Sequence, residues 1–239
     1  MKSLALLLCC SSVVISCSEN SEAPSPSQWA VSFRWTAEQD IDLDSVDAQI
    51  IRAAIESNTI AEFLNPDYGY PGWRDSREAV GADAKQNHPE YEGVGTAYLH
   101  IVSYQSPVSR VMIVCKDMTE TSRKIGDDYP LPDFNNRKEG LEVIAVDVVG
   151  ESRRDPDRVQ QVKVPEGPNI PGPGGRSPRP SKNVFSRHAL VHYQGDLDNY
   201  RDLCLPWAHA RWGRDQPPPT ARTVHEPPTI EPFTPGWPE

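Results

Sequence analysis

Little in the 239-residue sequence could neutralise a nucleic acid: 24 Lys and Arg are outnumbered by 34 Asp and Glu, and the formal net charge is −10. Phosphate recognition needs a clustered excess of cations, so nucleic acid is excluded as a partner. Long apolar runs are also missing. The longest, Leu4 to Ser16, has thirteen residues, and at about 1.5 Å per residue it reaches roughly 20 Å, short of a hydrocarbon core of about 30 Å. Signatures of catalysis are equally scarce. The run nearest to a nucleophile elbow, Gly175-Arg176-Ser177-Pro178-Arg179, lacks its second glycine. Gly93-Val94-Gly95 is followed by Tyr98 where a dinucleotide fingerprint requires glycine, and His188 is followed by Ala189 rather than the glutamate of a zinc protease. Asp40, Asp42 and Asp44 imitate the start of a calcium loop, but Ser45 replaces the turn glycine and Ile51 the closing glutamate. No cysteines have zinc-site spacing. Neither a metal nor a cofactor is expected, and no residue is singled out as catalytic.

What is present starts at the N-terminus. Lys2 followed by the short apolar run reads as a signal peptide over residues 1–16, not as a membrane span. Val14-Ile15-Ser16-Cys17 resembles the bacterial lipobox, which implies cleavage before Cys17 and acylation of its thiol. Residues 17–28 contain no aliphatic side chain larger than alanine and are expected to be a tether. Several acyl chains on Cys17 would hold the protein stably on a membrane, at about 0.8 kcal/mol per buried methylene. The expected location is therefore the outer, extracytoplasmic face of the cell membrane. Of five cysteines, only Cys115 and Cys204 then remain in the mature domain. In an oxidising compartment such a pair reads as a disulfide, the other reading being two separate buried thiols.

The remainder reads as one α+β domain over residues 29–213, with a disordered proline-rich tail over 214–239. Trp29 to Trp35 alternates weakly, as a strand or an extended lead-in. From Val46 to about Leu64, apolar residues fall at steps of three and four, with Asp44 or Ser45 as cap. That pattern predicts a long N-terminal helix, packed on a curved, mostly antiparallel sheet of four to five strands. The strands are Thr96 to Tyr104, Arg110 to Lys116, Leu141 to Val149 and Asn183 to Tyr193, with Arg158 to Val164 as a further candidate. A short helix is placed over Leu197 to Cys204. Residues 165–182 carry six prolines and four glycines and are expected to run irregularly over the surface. The tail from Asp215 has eight prolines among twenty-five residues, too few apolar groups to order it, and is expected to be dispensable.

Helix, aromatic turn and successive hairpin strands, in that order, resemble the cone-shaped nuclear-transport-factor-2-like (cystatin-like) fold. The lipobox, Phe33-Arg34-Trp35, Ile50 to Ser57, Tyr70-Pro71-Gly72-Trp73 and Leu203 to Trp207 together look similar to uncharacterised exported lipoproteins of actinomycetes. That resemblance implies an envelope location and no particular chemistry. Tyr68, Tyr70 and Trp73 are the candidates for a ligand-facing surface, with core packing as the competing role. His100 is the histidine with the firmest strand context. Two functions remain open. One is a non-catalytic module that binds an envelope protein or small ligand or assists envelope assembly; the other is a small enzyme or small-molecule binder using a cone-shaped pocket.

Overall fold

A computed structural model describes residues 29–76, 92–105, 110–132, 140–149, 162–168, 170, 172–185, 190–195, 197–215 and 222–238. Cys17 and the rest of the signal and tether lie outside these residues. The chain enters through β1 (Trp29–Ala37) and continues into α1 (Val46–Phe63). A 3-10 turn (Pro66–Tyr68) and the one-turn α2 (Trp73–Ser76) follow. Then come β2 (Gly93–Gln105), β3 (Arg110–Arg123), the two-residue β4 (Tyr129–Pro130), β5 (Leu141–Val149) and β6 (Leu190–Gln194). The C-terminal part carries α3 (Arg201–Trp212) and β7 (Thr223–Val224).

This is an α+β architecture with a mostly antiparallel sheet, ordered β1-β2-β3-β5-β6. The exception is the edge pair, in which β1 runs parallel to β2 from Trp29↔Gly93 to Ala37↔Ile101. Parallel neighbours need a long crossover, and the connection between these two strands contains α1. Ser45 caps α1 by accepting a hydrogen bond from the Ala48 amide. Almost the whole helix is buried, polar residues Arg52, Glu56, Ser57 and Thr59 included. A helix buried on all sides needs cover beyond one sheet face. Tyr68, Tyr70 and Trp73, which follow the helix in the chain, together with Phe185, Phe233 and Trp237, belong to the same core and supply that cover.

The sheet is buried on both faces. Along β3 the side chains alternate, so Val114 joins the core around α1 while Ile113 and Cys115 face a second core containing Cys204 and Ala208 of α3. Cys115 and Cys204 form a disulfide that fixes α3 to the sheet, with Cα atoms 5.5 Å apart. Helix α3 continues past the expected end at Cys204 and through Pro206. Pro206 lies on the exposed side, where the carbonyl freed by its missing N–H can be hydrated. Of the expected strand Asn183 to Tyr193, β6 covers the part from Leu190; residues 186–189 lie outside the described residues, and 183–185 are not in a strand, Phe185 being buried in the core. Residues 162–164 are not in a strand, and 158–161 lie outside the described residues.

The expected disordered tail is overturned within 222–238. β7 pairs with β4, and Thr234 lies alongside β1, accepting from the Trp35 amide at 2.7 Å and donating to the Phe33 carbonyl at 3.2 Å. Phe233 and Trp237 are 9% and 1% exposed. Proline removes donors, but an edge strand needs only alternate groups satisfied. Two aromatic side chains docked in the main core replace the continuous apolar face that the composition lacks.

Candidate functional site

One polar group lies deep in the main core. Glu56 projects from α1, fully buried, and its two oxygens divide three donors. Trp35 Nε1 donates to Oε1 at 2.7 Å; the Tyr70 hydroxyl at 2.6 Å and Trp237 Nε1 at 3.0 Å donate to Oε2. One turn earlier, Arg52 packs its guanidinium 4.3 Å from the Trp237 ring centre and donates to the carbonyls of Leu43 and Gly236. Gly236 has φ +74°, a conformation that presents this carbonyl to Arg52 and favours glycine. Burial raises the Glu56 pKa, opposed by the Arg52 charge and the three hydrogen bonds. Tyr70 is pushed well above the ordinary tyrosine range, chiefly by burial and also by the Glu56 charge. The site is thus a buried carboxyl group held by aromatic N–H and O–H donors.

Beside it lies a cavity of about 160 Å³. Trp29, Phe33, Ile60 and Phe233 form apolar walls, and Pro168 and Pro178 of the proline-rich excursion close the side. The described part of that excursion contains a 3-10 turn (Pro173–Gly175) and is tied down: the Trp29 amide donates to Glu166 O, and Ser177 and Trp237 exchange backbone hydrogen bonds. Gly167 permits the approach, since a Cβ there would stand 1.8 Å from Trp29 O. Arg179 is the charged residue of the lining. It donates to Tyr68 O at 3.1 Å and lies 4.8 Å from the Tyr70 ring centre. Burial lowers its pKa, with Tyr70 and Glu56 pulling the other way.

The sequence-selected aromatics Tyr68, Tyr70 and Trp73 are 5%, 1% and 1% exposed. They pack as core residues, and Tyr70 also contributes to the cavity lining. His100 is on β2, away from both. It hydrogen-bonds Thr36 Oγ1 through Nδ1 at 2.8 Å and stacks on Trp207 with ring centres 5.5 Å apart. Burial lowers its pKa, partly offset by Glu38. Among the described residues, no carboxylate hydrogen-bonds its ring, and no group of three or more His, Cys, Asp or Glu side chains could hold a metal ion.

Two further buried charge clusters are internally paired. Lys116 meets Glu142 at 2.7 Å and Glu62 at 3.3 Å; burial would depress its pKa, but these carboxylates overcome that and raise it. Asp117 is fully buried and receives Arg211 and, at 2.8 Å, Trp212 Nε1.

No protein-family model, curated protein or solved structure matches the chain. Its chemistry rests on the geometry above. Sequence reasoning missed Glu56, Arg52, Arg179 and Trp237. A signal for the first two existed, an Arg and a Glu four apart among apolar helix positions, which places both on one buried face. For Trp237 and Arg179 none existed, because each docks on residues more than a hundred positions away.

Proposed function

We propose that this chain is a lipid-anchored extracytoplasmic lipoprotein, a non-catalytic binding or envelope-assembly module held at the outer membrane face by acyl chains on Cys17. The observation that carries the non-catalytic part is the enclosure of Glu56. A general base must reach its substrate, whereas this carboxyl group is fully buried and each of its oxygens accepts from a core side chain, Trp35, Tyr70 or Trp237. A cone-like fold of the nuclear-transport-factor-2 type remains part of this reading, supported by a helix buried against antiparallel strands. The interior that such folds use as a reaction chamber is filled here by indole and phenol rings. The anchor is supported by the lipobox-like Val14 to Cys17, and export by the Cys115–Cys204 disulfide, a bond of oxidising compartments. Replacing Cys17 by Ala should move the protein from the membrane fraction to the soluble fraction or leave it as an unprocessed precursor. Unchanged membrane retention with normal processing would overturn the assignment.

A further inference from the structure

The charges around the buried carboxylate do not balance. Three guanidinium groups, Arg52, Arg176 and Arg179, meet two carboxylates, Asp44 and Glu56. Arg176 is held bidentately by Asp44 at 2.6 and 2.8 Å, and Arg52 stands against Glu56 and Asp44. Arg179 is left over. Among the described residues its guanidinium has one hydrogen bond, to the Tyr68 carbonyl, and no carboxylate within ion-pair distance; Glu56 acts on it only at longer range. A partly buried cation without a paired anion is costly unless something supplies one. Arg179 borders a cavity whose other walls are aromatic, aliphatic and proline side chains, the combination of apolar body and single polar anchor that small-ligand sites use.

We propose that this cavity binds a small apolar monocarboxylate, its carboxylate on the Arg179 guanidinium and its hydrocarbon body against Trp29, Phe33 and Phe233. The planar guanidinium presents paired N–H groups that match a carboxylate. A dianion such as inorganic phosphate would leave one charge uncompensated and would gain nothing from the walls. The volume, about 160 Å³, equals the liquid share of roughly five waters, enough for one ring and a short chain. The inference rests on reading the chain as a binding module and names the ligand class.

Phenylacetate is the probe, water-soluble enough to stay out of detergent micelles, titrated into the purified protein and followed by tryptophan fluorescence and saturation-transfer NMR. Saturable binding is expected, with 2-phenylethanol and inorganic phosphate weaker by about tenfold or more. N-acetylphenylalanine in parallel separates a free acid from a peptide end as the source of the carboxylate; saturable binding of either supports the site. Arg179→Met should weaken phenylacetate by about tenfold or more. Because Arg179 also braces Tyr68, a second variant, Val164→Trp, places a bulky ring at a lining residue that is 67% exposed and should block entry with the thermal midpoint unchanged. Equal binding of 2-phenylethanol, no saturable carboxylate binding by the folded protein, or wild-type affinity in both variants would overturn the proposal. Fractionation of Cys17→Ala tests the anchor separately, so either result can fail without the other.

Discussion

Glu56 illustrates how a single residue can hold three elements while weakening under the conditions that ionise it. Its oxygens accept from β1, the loop before α2 and the tail, so α1 is fixed to each. The folded pKa lies above the ordinary glutamate value of 4.5, so the folded state binds this proton more tightly than the unfolded chain does. Its contribution to stability is therefore fully present below about pH 4.5 and is lost as pH rises through the folded value. Asp44 has the opposite sign. Its pKa is lowered, first by the hydrogen bond from Arg176, so its contribution is present at neutral pH and is lost as the pH falls through its folded value. Comparison with Glu56→Gln isolates the first effect. The wild-type margin in urea melts should be largest at acid pH and should narrow toward neutrality; a margin that is flat or widens with pH would contradict the burial-dominated account.

At the scale of elements, the tail behaves as a strand and two anchors. Trp237→Ala removes a buried ring together with one donor to Glu56, and truncations of this kind cost about 3 to 5 kcal/mol. For a domain of this size the thermal midpoint should fall by roughly 10 °C, and truncation after Arg214 should exceed that. A shift under about 2 °C, the behaviour of a free tail, would show that Trp237 is not docked. The failure to read this from composition has a specific cause. β3 and β5 were legible because β-branched residues recur with period two, a local signal. Phe233 and Trp237 carry no period at all; their partners Phe33 and Glu56 lie far earlier in the chain, and proline density masks them. The parallel pairing of β1 was illegible for a similar reason, since nothing within nine residues records which neighbour they will have. The spacing of Arg52 and Glu56 places them on one helix face but does not name the partners that bury them, one of which is Trp237; the second covered face of β3 likewise depends on α3, 89 positions away at the disulfide.

Across the whole molecule, the disulfide pins α3 to the sheet within the second core. Cys115 and Cys204 are 89 positions apart, and closing a loop of that length stabilises the fold by about 4 to 5 kcal/mol in the chain-entropy account. The double variant Cys115→Ala, Cys204→Ala should lose stability of that order in urea melts, and the denatured, unreduced wild type should titrate no free thiol from this pair; two titrating thiols would refute the bond. The contact between Glu56 and Trp237 spans even more chain, 181 residues, and it is not covalent. A cut between Val224 and Phe233 would turn Trp237 from a group supplied at high effective concentration into a separate peptide that dilution can carry away. Its departure would strip Glu56 of one donor and remove Phe233 from the cavity wall together. The fold would thereby distinguish an intact chain from a nicked one: a single proteolytic event after the last strand would unseal the centre of the domain and expose the loosened remainder to the next.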